Sequence, residues 1–339
     1  MPSLHMKKPP LPFNPLRRTM YSPEELYAGF DPARTQSYAA TPDFEIYQYY
    51  VTSGKFAPDN YFTAMMEALH DNAITQSLNE YLRVNSTRSV AVMGGHELGR
   101  DSPWYEAVAQ ISRELARSGF CMLSGGGPGA MEATHLGAAL ARAVDDELKA
   151  AIAKLSSYPK LPDHLTDIVK ADGTVDQSLV GAAHDWLTPA YELSRNIKPL
   201  GESVAIPTWL YGHEPTTPLS PRIAKYFQNS IREDGLTGLA THGVIYAEGK
   251  AGTLQEIFED GAQNYYHTYG PFSPMIFLSA NYWTNNIPVK AVLENLFKSD
   301  DFKNNVLFTD DPAEVIAFVK SHSSTQTPVE RLRNYLYQQ

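Results

Sequence analysis

From about residue 88 the chain alternates short apolar runs with longer stretches of helical spacing, and this rhythm limits the fold more than any other feature. SVAVM at 89–93 precedes a stretch of helical spacing near 103–118, and GFCML at 119–123 precedes another near 129–154. SVAIP at 203–207, GVIYA at 243–247 and PMIFL at 274–278 repeat the pattern. Apolar runs of this length fit strands buried on both faces, and parallel strands need crossovers of about a dozen residues or more, usually helical. Five or more such units predict an α/β fold, a doubly wound parallel sheet with helices on both faces.

The flanks break the rhythm. Residues 1 to about 60 are rich in Pro and Tyr, with turn signals SPEE, DPAR and TPDF. They predict an extended arm with little regular structure, of the Tyr-rich kind that buries against a partner subunit. FTAMMEALHDNAITQSLNEYL, between Tyr61 and Leu82, has helical spacing. Between about 155 and 200 the segment SSYPKLPDHL, a DGT turn and an amphipathic stretch predict an inserted helical cap or lid. The expected organisation is an arm and helix at 1–85, a nucleotide-binding domain at 86–322 interrupted at about 143–200, and a tail or helix at 323–339.

Composition narrows the function. Hydrophobic residues at 43% and charged residues at 19% are those of a packed globular chain. The net charge of −10 provides no overall field for nucleic acid or an anionic membrane, so an anionic ligand needs a local site. Cys121 is the single cysteine, which excludes an intramolecular disulfide and a cysteine zinc site and fits small core filler. No apolar run reaches the roughly 20 residues of a membrane span, and MPSLHMKKPPLPFNPLRR has no signal-peptide core. The default expectation is a cytoplasmic protein.

In an open parallel sheet, ligands bind beyond the carboxyl ends of the strands. Three turns at such ends are glycine-rich: MGGHELG at 93–99, LSGGGPGAMEA at 123–133 and YAEGKAGTLQE at 246–256. Glycines there admit a close approach of backbone N–H groups to a ligand, and a following helix start favours an anion. Gly125, Gly127 and Ala130 fit the dinucleotide pattern GxGxxA, yet roughly 20 residues on only Asp145 and Asp146 occur, inside a helical run. Gly249 and Lys250 are followed by Ala251 rather than Ser or Thr, with no Gly five positions before Gly249, so a Walker A loop is excluded.

GGGPGAME together with EGKAGTLQE, about 120 residues later, resembles the LOG family of nucleoside 5′-monophosphate phosphoribohydrolases, whose motifs are GGGxxGxM and PGGxGTxxE. The likeness covers about residues 88–320 outside the insertion and extends to the larger bacterial nucleotide 5′-monophosphate nucleosidases. The resemblance implies a Rossmann-like fold, a homodimer or higher homo-oligomer, and hydrolysis of an AMP-like nucleotide to free base and ribose 5-phosphate without a cofactor or metal. Its second motif maps onto Gly249, Gly252, Thr253 and Glu256, with Glu248 in place of Pro and Lys250 in place of the second Gly. The family's Arg corresponds to Arg232, 24 residues before Glu256.

With a 5′-phosphate on the turn at 249–253, the N–H groups of Ala251, Gly252 and Thr253 and the Thr253 hydroxyl are its expected donors, beside Gly249 and Lys250. Glu256 follows on the same helical face, where its carboxylate can stabilise positive charge on the ribose or activate water. Arg232 is expected to hold phosphate or ribose, or to assist departure of the base. Gly94, Gly95, Ser124, Gly126 and Met131 are candidates for the ribose and base walls. His96, Glu97, His213 and Glu214 do not continue to HExxH and are assigned surface or hydrogen-bonding roles. Glu132 is expected to cap or orient its loop. Two other readings stay open: a nucleotide-sensing protein without catalysis, supported by Glu248 and Lys250, and an NAD(P) oxidoreductase.

Overall fold

The apolar runs form one parallel sheet. In a computed structural model that describes residues 10–85, 88–199, 201–322, 324 and 326–337, the strands are β1 (Arg88–Met93), β2 (Phe120–Ser124), β3 (Ser203–Ala205), β4 (Val244–Tyr246), β5 (Met275–Leu278) and β6 (Val306–Thr309). Their order is β3-β2-β1-β4-β5-β6, with every neighbouring pair parallel. The chain runs from β1 out to β3 and then crosses back to β4 on the other side of β1. The topological switch point therefore lies between β1 and β4. Residues 1–9, the start of the segment expected to lack a signal-peptide core, and Ser86, at the expected change of period, lie outside the described residues.

Side-chain alternation divides the core between the two faces of the sheet. Met93, Leu123, Val204, Tyr246 and Phe277 belong to one apolar cluster, and Val92, Met122, Ile245 and Ile276 to the other. Cys121 is buried in the first, where burial pushes its thiol up to about 12, as befits a core filler. The Rossmann-like architecture expected from the rhythm is the one observed.

The N-terminal segment holds more helix than its prolines suggest: α1 (Pro23–Leu26), a 3-10 turn (Thr35–Ala40), α2 (Pro42–Thr52) and α3 (Tyr61–Asn85). Pro42 is no obstacle, because it occupies the first turn of α2, where no N–H is needed, and Thr41 caps that helix. The arm buries against its own chain: Tyr21, Leu26, Tyr27, Tyr38, Phe44, Tyr47 and Tyr50 all join the first cluster. Asp43 of α2 accepts from the buried Lys225 Nζ at 2.7 Å, and Tyr27 donates to the carbonyl of Thr216. Burial lowers the pKa of Lys225, opposed by Asp43.

The main domain continues with α4 (Pro103–Arg117), whose start Ser102 caps. The single helix expected near 129–154 is instead two, α5 (Ala130–Ala139) and α6 (Asp145–Leu155). Arg117 donates to the carbonyls of Ala141 and Ala143 in the break, and Glu147 accepts the Val144 N–H, so side chains satisfy the interrupted backbone. The insertion ends with α7 (Gln177–Asn196), which packs on the 3-10 turn of the arm. The remaining helices are α8 (Asn229–Leu239), α9 (Ala251–Tyr265), α10 (Val289–Leu296), α11 (Ser299–Asn305), α12 (Pro312–Ser321) and α13 (Pro328–Tyr337).

Arg100, directly after the first glycine turn, joins three of these pieces. Its Nε and Nη2 each donate to Glu132 of α5 at 2.7 Å, its Nη1 donates to the Trp186 carbonyl of α7 at 2.9 Å, and its guanidinium lies 3.7 Å from the centre of the Trp186 ring. Tyr105 donates to Glu132 from α4. Both charges are buried, so removing one partner leaves the other uncompensated. We predict that Glu132→Ala lowers unfolding free energy by about 3–5 kcal/mol in urea titration; a loss below about 1 kcal/mol would contradict this role.

Candidate active site

The three glycine turns meet at the carboxyl ends of β1, β2 and β4. Gly95 donates its N–H to the Glu248 carbonyl at 2.9 Å, joining the first turn to the third. Gly129 starts α5 with a φ of 70°, and a Cβ there would overlap the Gly95 carbonyl oxygen, so the second turn packs on the first only because this residue is glycine. Between them lies a cavity of about 690 Å³, closed on the far side by residues leaving β3.

Of the residues singled out from sequence, Gly94, Gly95, Gly125, Gly126, Gly127, Met131, Arg232, Gly249, Lys250, Gly252, Thr253 and Glu256 line the cavity. Two do not. Ser124 is fully buried behind the wall, where its Oγ pairs with His135 Nε2 at 2.8 Å and accepts the Gly126 N–H at 3.1 Å, so it braces the second turn. Ala251 is exposed at the start of α9. Asp145 pairs with Arg113 at the start of α6 and does not line the cavity. It offers an NAD ribose no acidic partner there.

The third turn has the geometry of an anion cradle. Lys250 is the N-cap of α9, and no side chain caps that helix start. The first-turn N–H groups of Ala251, Gly252 and Thr253 have no intrahelical acceptors, as at every helix start, and the dipole adds positive charge. A Cβ at Gly249 would overlap Thr253 Oγ1 and come within 2.9 Å of the Gly95 nitrogen. Lys250, which stands where the motif has its second Gly, has φ −108° and ψ −139°. Its Nζ pairs with Glu97 at 2.6 Å, both side chains well exposed, while Ser279 donates to Glu248 and Tyr282 to the Gly249 carbonyl, each at 2.6 Å.

Glu256 and Arg232 face one another one turn into the helix, with Arg232 Nη2 at 3.8 Å from Glu256 Oε1 and 3.5 Å from Glu233 Oε1. Arg232 Nε is buried with no hydrogen-bond partner among the described residues, and Nη1 stands 2.8 Å from the position a Gly125 Cβ would take. The arginine therefore spans from the second turn to the carboxylate. Burial raises Glu256 to about 7; Arg232 opposes the shift and Glu233 adds to it. Such a group changes charge near neutral pH, as suits an acid–base residue.

Reasoning from sequence assigned His96, His213 and Glu214 surface or hydrogen-bonding roles and did not single out Tyr211, Glu233 or Tyr282. His96, Tyr211, His213, Glu214, Glu233 and Tyr282 line the cavity as well. Their signal was position: His96 follows the first glycine pair, and Tyr211 to Glu214 lie in the segment leaving β3. Among the described residues, no group of three or more His, Cys, Asp or Glu is arranged to hold a metal, and no helix is long and apolar enough to cross a membrane. Comparison with models of known families and with curated proteins finds no match to this chain.

Two predictions follow from this geometry. Gly249→Ala forces the turn open, so it should abolish binding of an anion such as inorganic phosphate in calorimetry and lower stability by about 1–3 kcal/mol; wild-type anion binding left unchanged by the substitution would show that the turn is not the cradle. Glu256, raised from 4.5 to about 7 in the folded state, contributes stability that is complete below about pH 4.5 and lost as pH rises through 7. The stability of wild type minus that of Glu256→Gln should therefore fall between these values, and a flat difference would contradict the burial of this carboxyl.

Proposed function

We propose that the protein hydrolyses the N-glycosidic bond of nucleoside 5′-monophosphates, giving free base and ribose 5-phosphate. The observation that carries this reading is the stacking of three features along one helix start: uncapped N–H donors, then Thr253, then Glu256 opposite Arg232. A phosphate on the donors sets the ribose beside the carboxylate. The glycosidic bond breaks with positive charge growing on the sugar, which an ionised Glu256 stabilises while it activates the attacking water. Arg232, with its free Nε, holds the ribose or phosphate and stabilises charge on the departing base. The likeness of GGGPGAME and EGKAGTLQE to the LOG motifs supports the same chemistry.

Purified protein should release base from AMP but not from adenosine, because the nucleoside lacks the anchor; equal turnover of adenosine would sink the reading. We expect Glu256→Gln to lower kcat by about 10²-fold or more with nucleotide affinity nearly unchanged. The wild-type rate should rise with pH through about 7, as Glu256 ionises. Glu233→Gln removes a like charge and should move this limb to lower pH; a shift to higher pH would contradict the electrostatic assignment. Binding without turnover in the wild type would instead support a nucleotide sensor.

A further inference from the structure

The strand order sets the phosphate cradle and the segment leaving β3 on opposite sides of the cavity. The cradle follows β4 and the far wall follows β3, three strand spacings away in the order β4-β1-β2-β3, or about 14 Å. An extended nucleotide, with phosphate and base at opposite ends of the ribose, spans a distance of this order. With phosphate on α9 and the glycosidic bond at Arg232 and Glu256, the base falls to the far wall.

Glu214 is the charged group of that wall. Its side chain is only 11% exposed, and its Oε2 stands 3.3 Å from the position a Gly127 Cβ would take, so it lies directly against the second glycine turn at the cavity wall. His96 Nδ1 lies 3.3 Å from Oε1 and His213 Nε2 lies 4.0 Å from it. Tyr211, within electrostatic reach of Glu214, Arg232 and Glu256, sets an aromatic surface beside them. Burial raises the pKa of Glu214, opposed by His96 and Arg232. Burial also lowers His213 to about 4, so that ring is neutral at pH 7. A carboxylate held in such a wall is satisfied best by a ligand that brings N–H donors.

We propose that Glu214 reads the base and selects guanine, whose N1–H and N2–H form an adjacent pair of donors, over adenine. This rests on the nucleotide reading of the cavity. Among the four common bases of RNA, guanine alone presents two neighbouring donors on its pairing edge, which match the two oxygens of one carboxylate. Adenine opposes an N1 lone pair to the same carboxylate and leaves one oxygen unpaired. Hypoxanthine keeps N1–H and loses the 2-amino donor, so it ranks between them.

The test is calorimetric binding of GMP, IMP and AMP to wild type and to Glu214→Gln, with base release followed in parallel. Wild type should bind in the order GMP, IMP, AMP, with GMP favoured over AMP by about tenfold or more. The glutamine amide offers one donor and one acceptor, matching adenine, so the variant should reverse the order. Equal wild-type affinities, or an equal loss for all three nucleotides in a variant that melts like wild type, would overturn the proposal. If the variant fails to fold, the wild-type order decides alone. Selective binding without base release would uphold base reading and refute hydrolysis; base release without selectivity would do the reverse. Failure to bind any nucleotide would refute both.

Discussion

The buried pair of Arg100 and Glu132 holds together the parts from which the cavity is made. Arg100 ends the first glycine turn, Glu132 lies in the first turn of the helix after the second, and Trp186 comes from the insertion. The backbone adds to this junction, since Arg100 N–H donates to the Pro159 carbonyl and Ser156 Oγ to the Arg100 carbonyl. Taking two charges out of water is costly, and the cost is offset here because Glu132 also receives a bond from Tyr105. The insertion is thus tied to the floor of the cavity, and one of its residues, Thr166, reaches the lining.

On this base the cavity opposes its charges. Glu97, Glu214, Glu233, Glu248 and Glu256 line it, against Arg232 and Lys250. Each carboxylate near the uncapped helix start has a partner: Lys250 pairs with Glu97, Ser279 binds Glu248, and Arg232 lies against Glu256 and Glu233. The helix start and the guanidinium are then the positive features nearest the site. Glu248 and Lys250, which stand where the LOG motif has Pro and Gly, are held by Ser279 and Glu97 respectively. The backbone of Lys250 has negative φ, and its side chain reaches to the rim.

Much of this was legible in the sequence because it is local. Five strands show as apolar runs, and the turns that leave three of them show as glycine clusters. The glycine turn and Glu256 share one stretch of nine residues, and Arg232, expected only through the resemblance to the LOG motifs, comes to lie 3.8 Å from Glu256. What was hidden depends on contacts between distant segments. VLFT at 306–309 has only three apolar residues in a row, between polar NN and TDD, and pairing with β5 makes it a strand. The break after α5 exists because Arg117, more than 20 residues earlier, satisfies its carbonyls. The tyrosines of the arm read as an interface because nothing in their own spacing names the surface they cover. Tyr211, His213 and Glu214 have no periodicity, and Asp43, Lys225 and Thr216 fix their segment from the arm.

The position of a bound phosphate tests the central claim most directly. A crystal structure of the protein soaked with ribose 5-phosphate should show the phosphate within hydrogen-bond distance of the N–H groups of Ala251, Gly252 and Thr253, with the sugar between Glu256 and Arg232. Phosphate bound instead at the second glycine turn, or a sugar remote from Glu256, would contradict it.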